Sequence, residues 1–216
     1  MQVHMTNCLL IPSFAFATSQ LSWEDHYGED EFQKRFDIDY VRAESLGSQL
    51  GAESVALDGI QRMKCDPKEW KHARLRFLTR TQQAVLLPAG VKTSMRPWIP
   101  GDGLHEKEFF KILEVLGAFE IWADDCEFVP FYENDGAVSG ESEGVLVGTY
   151  RRKGKTLAIF GNQTGRDMKL GLRTDPVKLG LRTPVSYVNA ETGEAIEGGI
   201  LELPAYDLRM VLVNGQ

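Results

Sequence analysis

The first half of the chain alternates short apolar runs with segments of helical spacing. Apolar runs are typical of buried strands, whereas apolar residues that recur every three or four positions indicate amphipathic helices. Apolar runs cover 3–5, 8–11 and 54–59, helical spacing covers 37–52, 66–87 and 107–117, and a last run covers 118–124. Strands that alternate with helices in this way predict β/α units and a parallel sheet.

The second half is a series of short strands separated by turn residues. Residues 145–162 alternate in polarity around Lys153-Gly154, which predicts a hairpin. KLGLRT occurs twice, and we expect the first copy, 169–174, to be a strand and the second to be a connection. Further strands are predicted at 185–188, 199–203 and 207–213, and a long loop at 88–103. Short strands at this spacing predict an antiparallel β-sandwich.

Composition and charge exclude several classes of protein. The 216 residues are 43% hydrophobic and 25% charged, as in an ordinary soluble globular protein. The net charge of −7 and the absence of long basic runs argue against nucleic-acid binding. No apolar stretch approaches the ~20 residues of a membrane span, and the run 8–17 lacks the basic flank of a signal peptide. We therefore expect a soluble protein with no membrane partner.

The cysteines give no sign of a metal site. Cys8, Cys65 and Cys126 are far apart and have neither Cys-x-x-Cys nor Cys/His spacing, so we expect free thiols rather than bound zinc. The segment GDGLHE at 101–106 lacks the strand–loop–helix context of a phosphate-binding loop. No metal or other cofactor is expected.

Several stretches of the sequence resemble a known enzyme family. HMTNCLLIPSFAFATSQLSWEDHYG (4–28), RAESLGSQLGA (42–52) and LLPAGVKTSMRPW (86–98) resemble the last barrel strands of glycoside hydrolase family 123 and its uncharacterised relatives. LAIFGNQTGRDMKLGLRTDPVKLGL and LELPAYDLRMVLV, nearer the C-terminus, are similar to the terminal β-sandwich of those enzymes. The resemblance covers nearly the whole chain but only the last part of a complete enzyme.

This resemblance implies retaining, substrate-assisted hydrolysis of β-linked N-acetylhexosaminides, in which the acetamide of the sugar attacks the anomeric carbon. An adjacent Asp-Glu pair assists this reaction in the family. By chain order we expect that pair upstream of Met1, so it corresponds to no residue of this chain. The relatives also place a polar residue where this chain has Ala89.

Candidate site residues follow the predicted strands, because (β/α) barrels carry functional groups at the carboxyl ends of their strands. Glycoside hydrolysis needs two carboxyl groups about 5–10 Å apart, and Glu24 and Asp125 are the catalytic candidates. Tryptophan suits the apolar face of a sugar ring, whereas histidine, amide and carboxylate groups suit its hydroxyls. The predicted substrate-binding residues are His4, Asn7, Trp23, Asp25, Asp58 and Trp98.

These residues also have structural interpretations. Glu24 suits a solvated loop, Asp58 suits a turn, and His4 suits a hydrogen-bonded position in the core. Trp70 and Trp122 are predicted to be core residues, because the first lies on an amphipathic helix and the second in a predicted strand.

The sequence thus predicts an α/β part and an all-β part: an incomplete TIM-type (β/α) barrel over 1–125 and a small antiparallel β-sandwich over 128–216. We expect the C-terminal part of a glycoside hydrolase-like protein that acts on glycosidic bonds, with carbohydrate as its partner, little activity by itself, and a secreted or periplasmic parent. Two alternatives stay open. One is a non-catalytic carbohydrate-binding or assembly module, whose open sheet pairs with the missing barrel portion or with a second copy. The other is a compact hydrolase that uses Glu24 and Asp125.

Overall fold

The computed structural model describes residues 2–4, 16–22, 38–45, 51–57, 72–94, 104–140 and 142–215. Within these residues, the first half of the chain contains four strands and three α-helices, and each of the last three strands is followed by a helix. The elements are β1 (Gln2–His4), β2 (Ser19–Ser22), α1 (Ile38–Glu44), β3 (Glu53–Leu57), α2 (His72–Leu86), β4 (Lys92–Ser94) and α3 (Leu104–Phe119). A short 3-10 helix, Leu87–Ala89, follows α2 directly.

The four strands of this half form one parallel sheet in the order β1-β2-β3-β4. Gln20 pairs with Ser54, and Ala56 pairs with Thr93. Because residues two apart in a strand share a face, these four side chains lie on one side of the sheet. Ala56 packs against α2, and Thr93 accepts a hydrogen bond from it, so this is the helix-covered side.

Two sequence predictions in this half are wrong. The predicted strand 118–124 is instead the end of α3 and the turns that follow it, since Phe119 continues the buried stripe of Ile112 and Leu116 and Glu120 takes a left-handed conformation (φ 61°). Trp122 therefore lies outside any strand and is 62% exposed rather than in the core. The predicted loop 88–103 contains β4, whose polar residues give no strand signal.

The second half contains two antiparallel sheets. Its strands are β5 (Glu127–Val129), β6 (Val138–Gly140), β7 (Val145–Arg152), β8 (Lys155–Asn162), β9 (Met168–Thr174), β10 (Val185–Asn189), β11 (Ile200–Leu203) and β12 (Leu208–Gly215). The first sheet has the order β10-β12-β8-β7-β5 and the second β11-β9-β6, and they share one apolar core. The predicted β7–β8 hairpin is confirmed: Arg152 pairs with Lys155, and Gly154 supplies the positive φ of its tight turn.

Helix α2 joins the two halves, because it lies between the parallel sheet and the five-stranded sheet. Residues 79–89 are all buried. Val85 and Leu86 pack toward the parallel sheet, whereas Ala84 and Leu87 pack against β7, β8 and β12. Helix α2 ends at Leu86, two residues before Pro88. The 3-10 helix that follows ends at Gly90, whose φ of 78° favours glycine. The two halves are thus held together through a helix that is covered on both sides.

Candidate functional site

The four parallel strands all end at the same edge of their sheet. Their last residues are His4, Ser22, Leu57 and Ser94. In open and closed parallel sheets this carboxyl edge is where ligands bind, since the loops that leave the strands meet there. The opposite, amino edge carries the Glu53–Lys92 ion pair, which joins the first residues of β3 and β4.

Most of the predicted site residues lie outside the described residues. Those are Asn7, Trp23, Glu24, Asp25, Asp58 and Trp98, together with Cys8, Cys65 and Trp70. In the sequence, residue 23 directly follows β2 and residue 58 directly follows β3. His4 is the last residue of β1, and it pairs with Leu21 of β2.

Asp125 is not at the end of a strand of the parallel sheet. It follows the turns after α3, and its Oδ1 accepts a hydrogen bond from Arg152 Nε at 2.9 Å. Helix α3 runs back toward the amino edge, because Ile121 and Trp122 line a cavity together with Lys92, the first residue of β4. Asp125 was a catalytic candidate because a strand was predicted before it, and that basis is lost.

Polar side chains between the parallel sheet and α2 were missed by the sequence analysis. Gln20 Nε2 donates to Ser54 Oγ at 3.1 Å across β2 and β3, and Gln83 Nε2 of α2 donates to Thr93 Oγ1 of β4 at 2.8 Å. Gln20, Ser54 and Gln83 are fully or almost fully buried. The only sign of these buried polar side chains in the sequence was the polar run SQLS of β2, which lacks the apolar pattern of a strand.

The most buried charged group of the described residues is Arg80 of α2, which is 2% exposed. Its Nε donates to Asp207 Oδ1, and its Nη1 and Nη2 donate to the two carboxylate oxygens of Glu191 at 2.8 and 2.9 Å. Nη2 also donates to the carbonyl oxygen of Leu208 at 2.6 Å. Helix α2 is therefore tied to the five-stranded sheet by a hydrogen-bonded ionic cluster of Arg80, Asp207 and Glu191, hereafter the Arg80 cluster.

The charges of the Arg80 cluster stabilise one another. Burial alone raises the pKa of Asp207, but the charges of Arg80 and Arg209 and their hydrogen bonds outweigh it, so the pKa lies below its usual value. Burial likewise opposes the charge of Arg80, but the hydrogen bond and charge of Glu191 and the charge of Asp207 leave its pKa raised. Because each charged group has its partners, the cluster is suited to joining two parts of the fold rather than to acid–base chemistry.

Two cavities flank α3. The first, about 200 Å³, lies between the end of α3 and the five-stranded sheet and is lined mainly by apolar side chains, with Lys155 and Asn189 as its polar members. The second, about 130 Å³, lies between α2, α3, β4 and β7. Tyr150 lines this second cavity, and burial raises the pKa of its hydroxyl well above the usual value.

The described residues contain no cluster of three or more histidine, cysteine or acidic side chains that could hold a metal ion. Cys126 is a half-buried free thiol, and burial raises its pKa. Among the same residues, no helix is both long and apolar enough to cross a bilayer.

Comparison with known proteins shows a relationship at the level of fold. No family model matches the chain, and no curated protein matches it. A solved structure described as a glycoside hydrolase overlays on 100% of the chain and 57% of its own length, with a TM-score of 0.52 and 13% identity. A maltogenic alpha-amylase, AmyB, from Thermotoga neapolitana overlays on 98% of the chain and 52% of its own length, with a TM-score of 0.52 and 11% identity.

A third neighbour is a family 5 glycoside hydrolase from Bacteroides vulgatus ATCC 8482, which overlays on 100% of the chain and 55% of its own length, with a TM-score of 0.50 and 12% identity. The chain thus spans little more than half the length of these neighbours. They belong to several families, so the overlays do not single out one of them. The chain has a glycoside hydrolase-like fold.

Proposed function

We propose that this chain is the C-terminal part of a glycoside hydrolase-like protein and binds carbohydrate at the carboxyl edge of β1–β4. In this proposal residues 1–125 are an incomplete TIM-type barrel and residues 128–216 a β-sandwich. The observation that carries it is the parallel sheet: its strands end at one edge, and the candidate residues come next along the chain. That edge is where (β/α) barrels bind their substrates.

The proposed sugar site draws one or more residues from each strand end. His4 ends β1, Trp23 follows β2, Asp58 follows β3, and Trp98 comes soon after β4. The tryptophans would stack on the apolar face of a pyranose ring, while the polar groups would bind its hydroxyls. Asn7 and Asp25, which follow β1 and β2, supply further polar groups.

We infer that the ligands are β-linked N-acetylhexosaminides, because the N-terminal stretches resemble glycoside hydrolase family 123. Glu24 is the proposed catalytic carboxylate at this edge. Asp125 is the second candidate, but it is bound to Arg152 and follows the turns after α3 instead of a strand of the parallel sheet. This position favours the second candidate function, a carbohydrate-binding module without turnover, over a compact hydrolase.

Calorimetric titration with N-acetylglucosamine tetrasaccharide tests the binding proposal. We expect saturable binding that Trp23→Ala and Asp58→Asn each weaken by about tenfold or more, the range of a lost stacking or charge-assisted contact. Glu143→Gln is the matched control, since Glu143 is an exposed carboxylate in the antiparallel half. Unchanged affinity in both site variants, or no binding by the unmodified chain, would contradict the proposal.

Hydrolysis of 4-nitrophenyl N-acetyl-β-glucosaminide separates the two candidate functions. A hydrolase that uses Glu24 should lose turnover in Glu24→Gln while it keeps its affinity for the tetrasaccharide. A binding module should bind the tetrasaccharide saturably, and neither the unmodified chain nor Glu24→Gln should release 4-nitrophenol. Turnover that survives both Glu24→Gln and Asp125→Asn would exclude both carboxylates as catalytic groups.

A further inference from the structure

The larger of the two cavities beside α3 has the five-stranded sheet as its floor. Val188 pairs with Leu212, and Leu212 pairs with Leu157, so a row of three aliphatic side chains crosses β10, β12 and β8. Directly paired residues of antiparallel strands lie on the same face of a sheet, and all three residues line the cavity. Leu157 is buried, whereas Val188 and Leu212 stay partly exposed. The floor is therefore an apolar surface that α3 covers incompletely.

The opposite wall of the cavity is the last turn of α3. Val115, Ala118 and Phe119 are three or four residues apart, so they share one side of the helix, and all three line the cavity. Phe119 packs into the core, but the methyl group of Ala118 is short. Ala190, which directly follows β10, is another small residue of the lining. With short side chains at both positions, about 200 Å³ stays open between helix and sheet.

A lysine lies at this apolar cavity. Lys155 is the first residue of β8 and comes two residues before Leu157, so both side chains lie on the cavity face of the strand. The Lys155 ammonium lies over the ring of Phe119, 5.0 Å from the ring centre. Lys155 is the only charged side chain among the described residues that line the cavity. The cavity is therefore apolar along its walls and positive at one end.

The ammonium of Lys155 has no acidic partner within the described part of the chain. No hydrogen bond or ion pair joins it to these residues. Glu120 and Asp125, which follow α3, both bind Arg152 instead. The pKa of Glu120 is accordingly lowered mainly by its hydrogen bond to Arg152, and Lys155 makes a smaller contribution. The donors of Lys155 are thus available to a ligand.

We propose that this cavity binds a carboxylate with a small apolar body, of about the size of benzoate. The carboxylate would accept hydrogen bonds from the Lys155 ammonium, and the apolar body would lie between α3 and the row of Val188, Leu212 and Leu157. An apolar protein cavity of about 150 Å³ holds benzene, so a volume of about 200 Å³ has room for a ring with one carboxylate group.

Burial and charge have different roles in this proposal. The apolar body gains affinity by removing Val115, Val188 and Leu212 from water, and a neutral ligand shares this gain. The ammonium favours an anion, because a charge-assisted hydrogen bond is stronger than a neutral one. A ligand this small limits the affinity to a dissociation constant on the order of 0.1–1 mM. The named walls belong to the antiparallel half and α3, so the inference does not rest on the proposed carbohydrate site.

Titrations of the isotope-labelled chain followed by NMR test the site with three ligands. Benzoate should shift the amide signals of residues 115–119 and 188–190 saturably. Benzyl alcohol keeps the ring without the charge and should bind at least about fivefold more weakly, and benzylammonium should bind more weakly still. Equal dissociation constants for benzoate and benzyl alcohol would overturn the proposal, and so would benzoate shifts confined to other parts of the chain.

Two lysine variants separate the charge from the cavity. Lys155→Met keeps an unbranched apolar side chain, so it should weaken benzoate at least about fivefold and leave the affinity for benzyl alcohol unchanged. The matched control is Lys169→Met, because Lys169 is an exposed lysine of the other sheet, where it pairs with Glu202. This control should bind benzoate as the unmodified chain does. Ala190→Leu, which fills the space, should weaken benzoate and benzyl alcohol alike.

The absence of a saturable shift with benzoate up to about 10 mM would overturn the proposal, and so would unchanged benzoate affinity in Lys155→Met. The sugar titration separates this site from the proposed function. Saturating benzoate should leave the affinity for the tetrasaccharide unchanged. Competition between the two ligands would show that they share one site, and it would overturn the separate carboxylate site.

Discussion

Replacement of Arg80 tests whether α2 holds the two halves of the chain together through the Arg80 cluster. Arg80→Met keeps an unbranched side chain of similar length but removes the charge and every donor. Asp207 and Glu191 would then lose their buried partner. Their own side chains are only 9% and 16% exposed, respectively. The carbonyl oxygen of Leu208 would lose a donor as well. The perturbation is therefore confined to one point of contact between α2 and the antiparallel half.

The size of the expected loss depends on the two carboxylates that stay buried when Arg80 is replaced. Removal of one partner from a buried ion pair costs about 3–5 kcal/mol, because the other charge is left without compensation. Asp207 retains Arg209, whose Nη1 donates to Oδ2 at 2.8 Å, and it also retains the N–H of Leu208. Glu191 can reach water through its exposed fraction. We therefore expect the low end of that range, about 3 kcal/mol in the free energy of unfolding.

Urea unfolding followed by circular dichroism measures this loss, with Arg182→Met as the matched control because Arg182 is exposed. The double variant Arg80→Met/Asp207→Asn provides a further test. Once Arg80 is absent, neutralising Asp207 removes an uncompensated charge, so the double variant should lose less stability than the two single variants added together. A loss below about 1 kcal/mol in Arg80→Met, or strict additivity in the double variant, would refute this reasoning.

Three further expectations concern stability. Gly161→Ala should cost at least about 2 kcal/mol because its Cβ would lie 1.9 Å from the carbonyl oxygen of Ala84, whereas Gly171→Ala, with open space at its Cβ, should change stability by less than about 1 kcal/mol in the same urea assay. Because the pKa of Asp207 is lowered by folding, its stabilisation is complete above the unfolded-state pKa of about 3.9 and is lost as the pH falls through the folded-state value. When urea unfolding is repeated at several acidic pH values, the free energy of unfolding should therefore fall less steeply with decreasing pH in Asp207→Asn than in the unmodified chain. An identical pH dependence in the two proteins would show that Asp207 is not responsible for the loss. Asn162→Leu should cost about 2–4 kcal/mol by calorimetry, since Asn162 Nδ2 donates to three backbone carbonyl oxygens, and a loss below about 1 kcal/mol would show that these bonds are replaced by water.

The sequence predicted those elements whose apolar pattern matches their final environment. Helix α3 buries Phe109, Ile112 and Leu116 on the predicted stripe, and the β7–β8 hairpin follows from alternation around a Lys-Gly turn. β2 and β4 were missed because SQLS and KTS are polar. Gln20 of β2 is bonded to Ser54 of β3, and Thr93 of β4 is bonded to Gln83 of α2, so the compensation depends on residues of other elements.

The end of α3 shows a second limit of pattern reading. Residues 118–124 are mostly apolar, which favours a buried strand, but the helix continues through Phe119 because its stripe still contacts the antiparallel half. The Arg80 cluster was also invisible to sequence analysis. In the sequence, Arg80 is 111 residues from Glu191 and 127 residues from Asp207, and only the fold brings it to them.

The proposed carbohydrate site was inferred from strand ends, and the position of those ends is its structural support. β1 and β3 were predicted close to their observed places, so His4 and Asp58 were assigned to strand ends from sequence alone. Asp125 was assigned through a strand that does not exist. Asp125 differs from His4 and Asp58 because an apolar run indicates only that a segment is buried. The buried end of a helix gives the same run as a buried strand.

The location of a bound sugar tests the central claim of this account most directly. A crystal structure of the chain with N-acetylglucosamine tetrasaccharide should place the sugar at the carboxyl edge of β1–β4, in contact with Trp23 or Asp58. A tetrasaccharide bound instead on the antiparallel sheets, or at the amino edge beside Glu53 and Lys92, would contradict it.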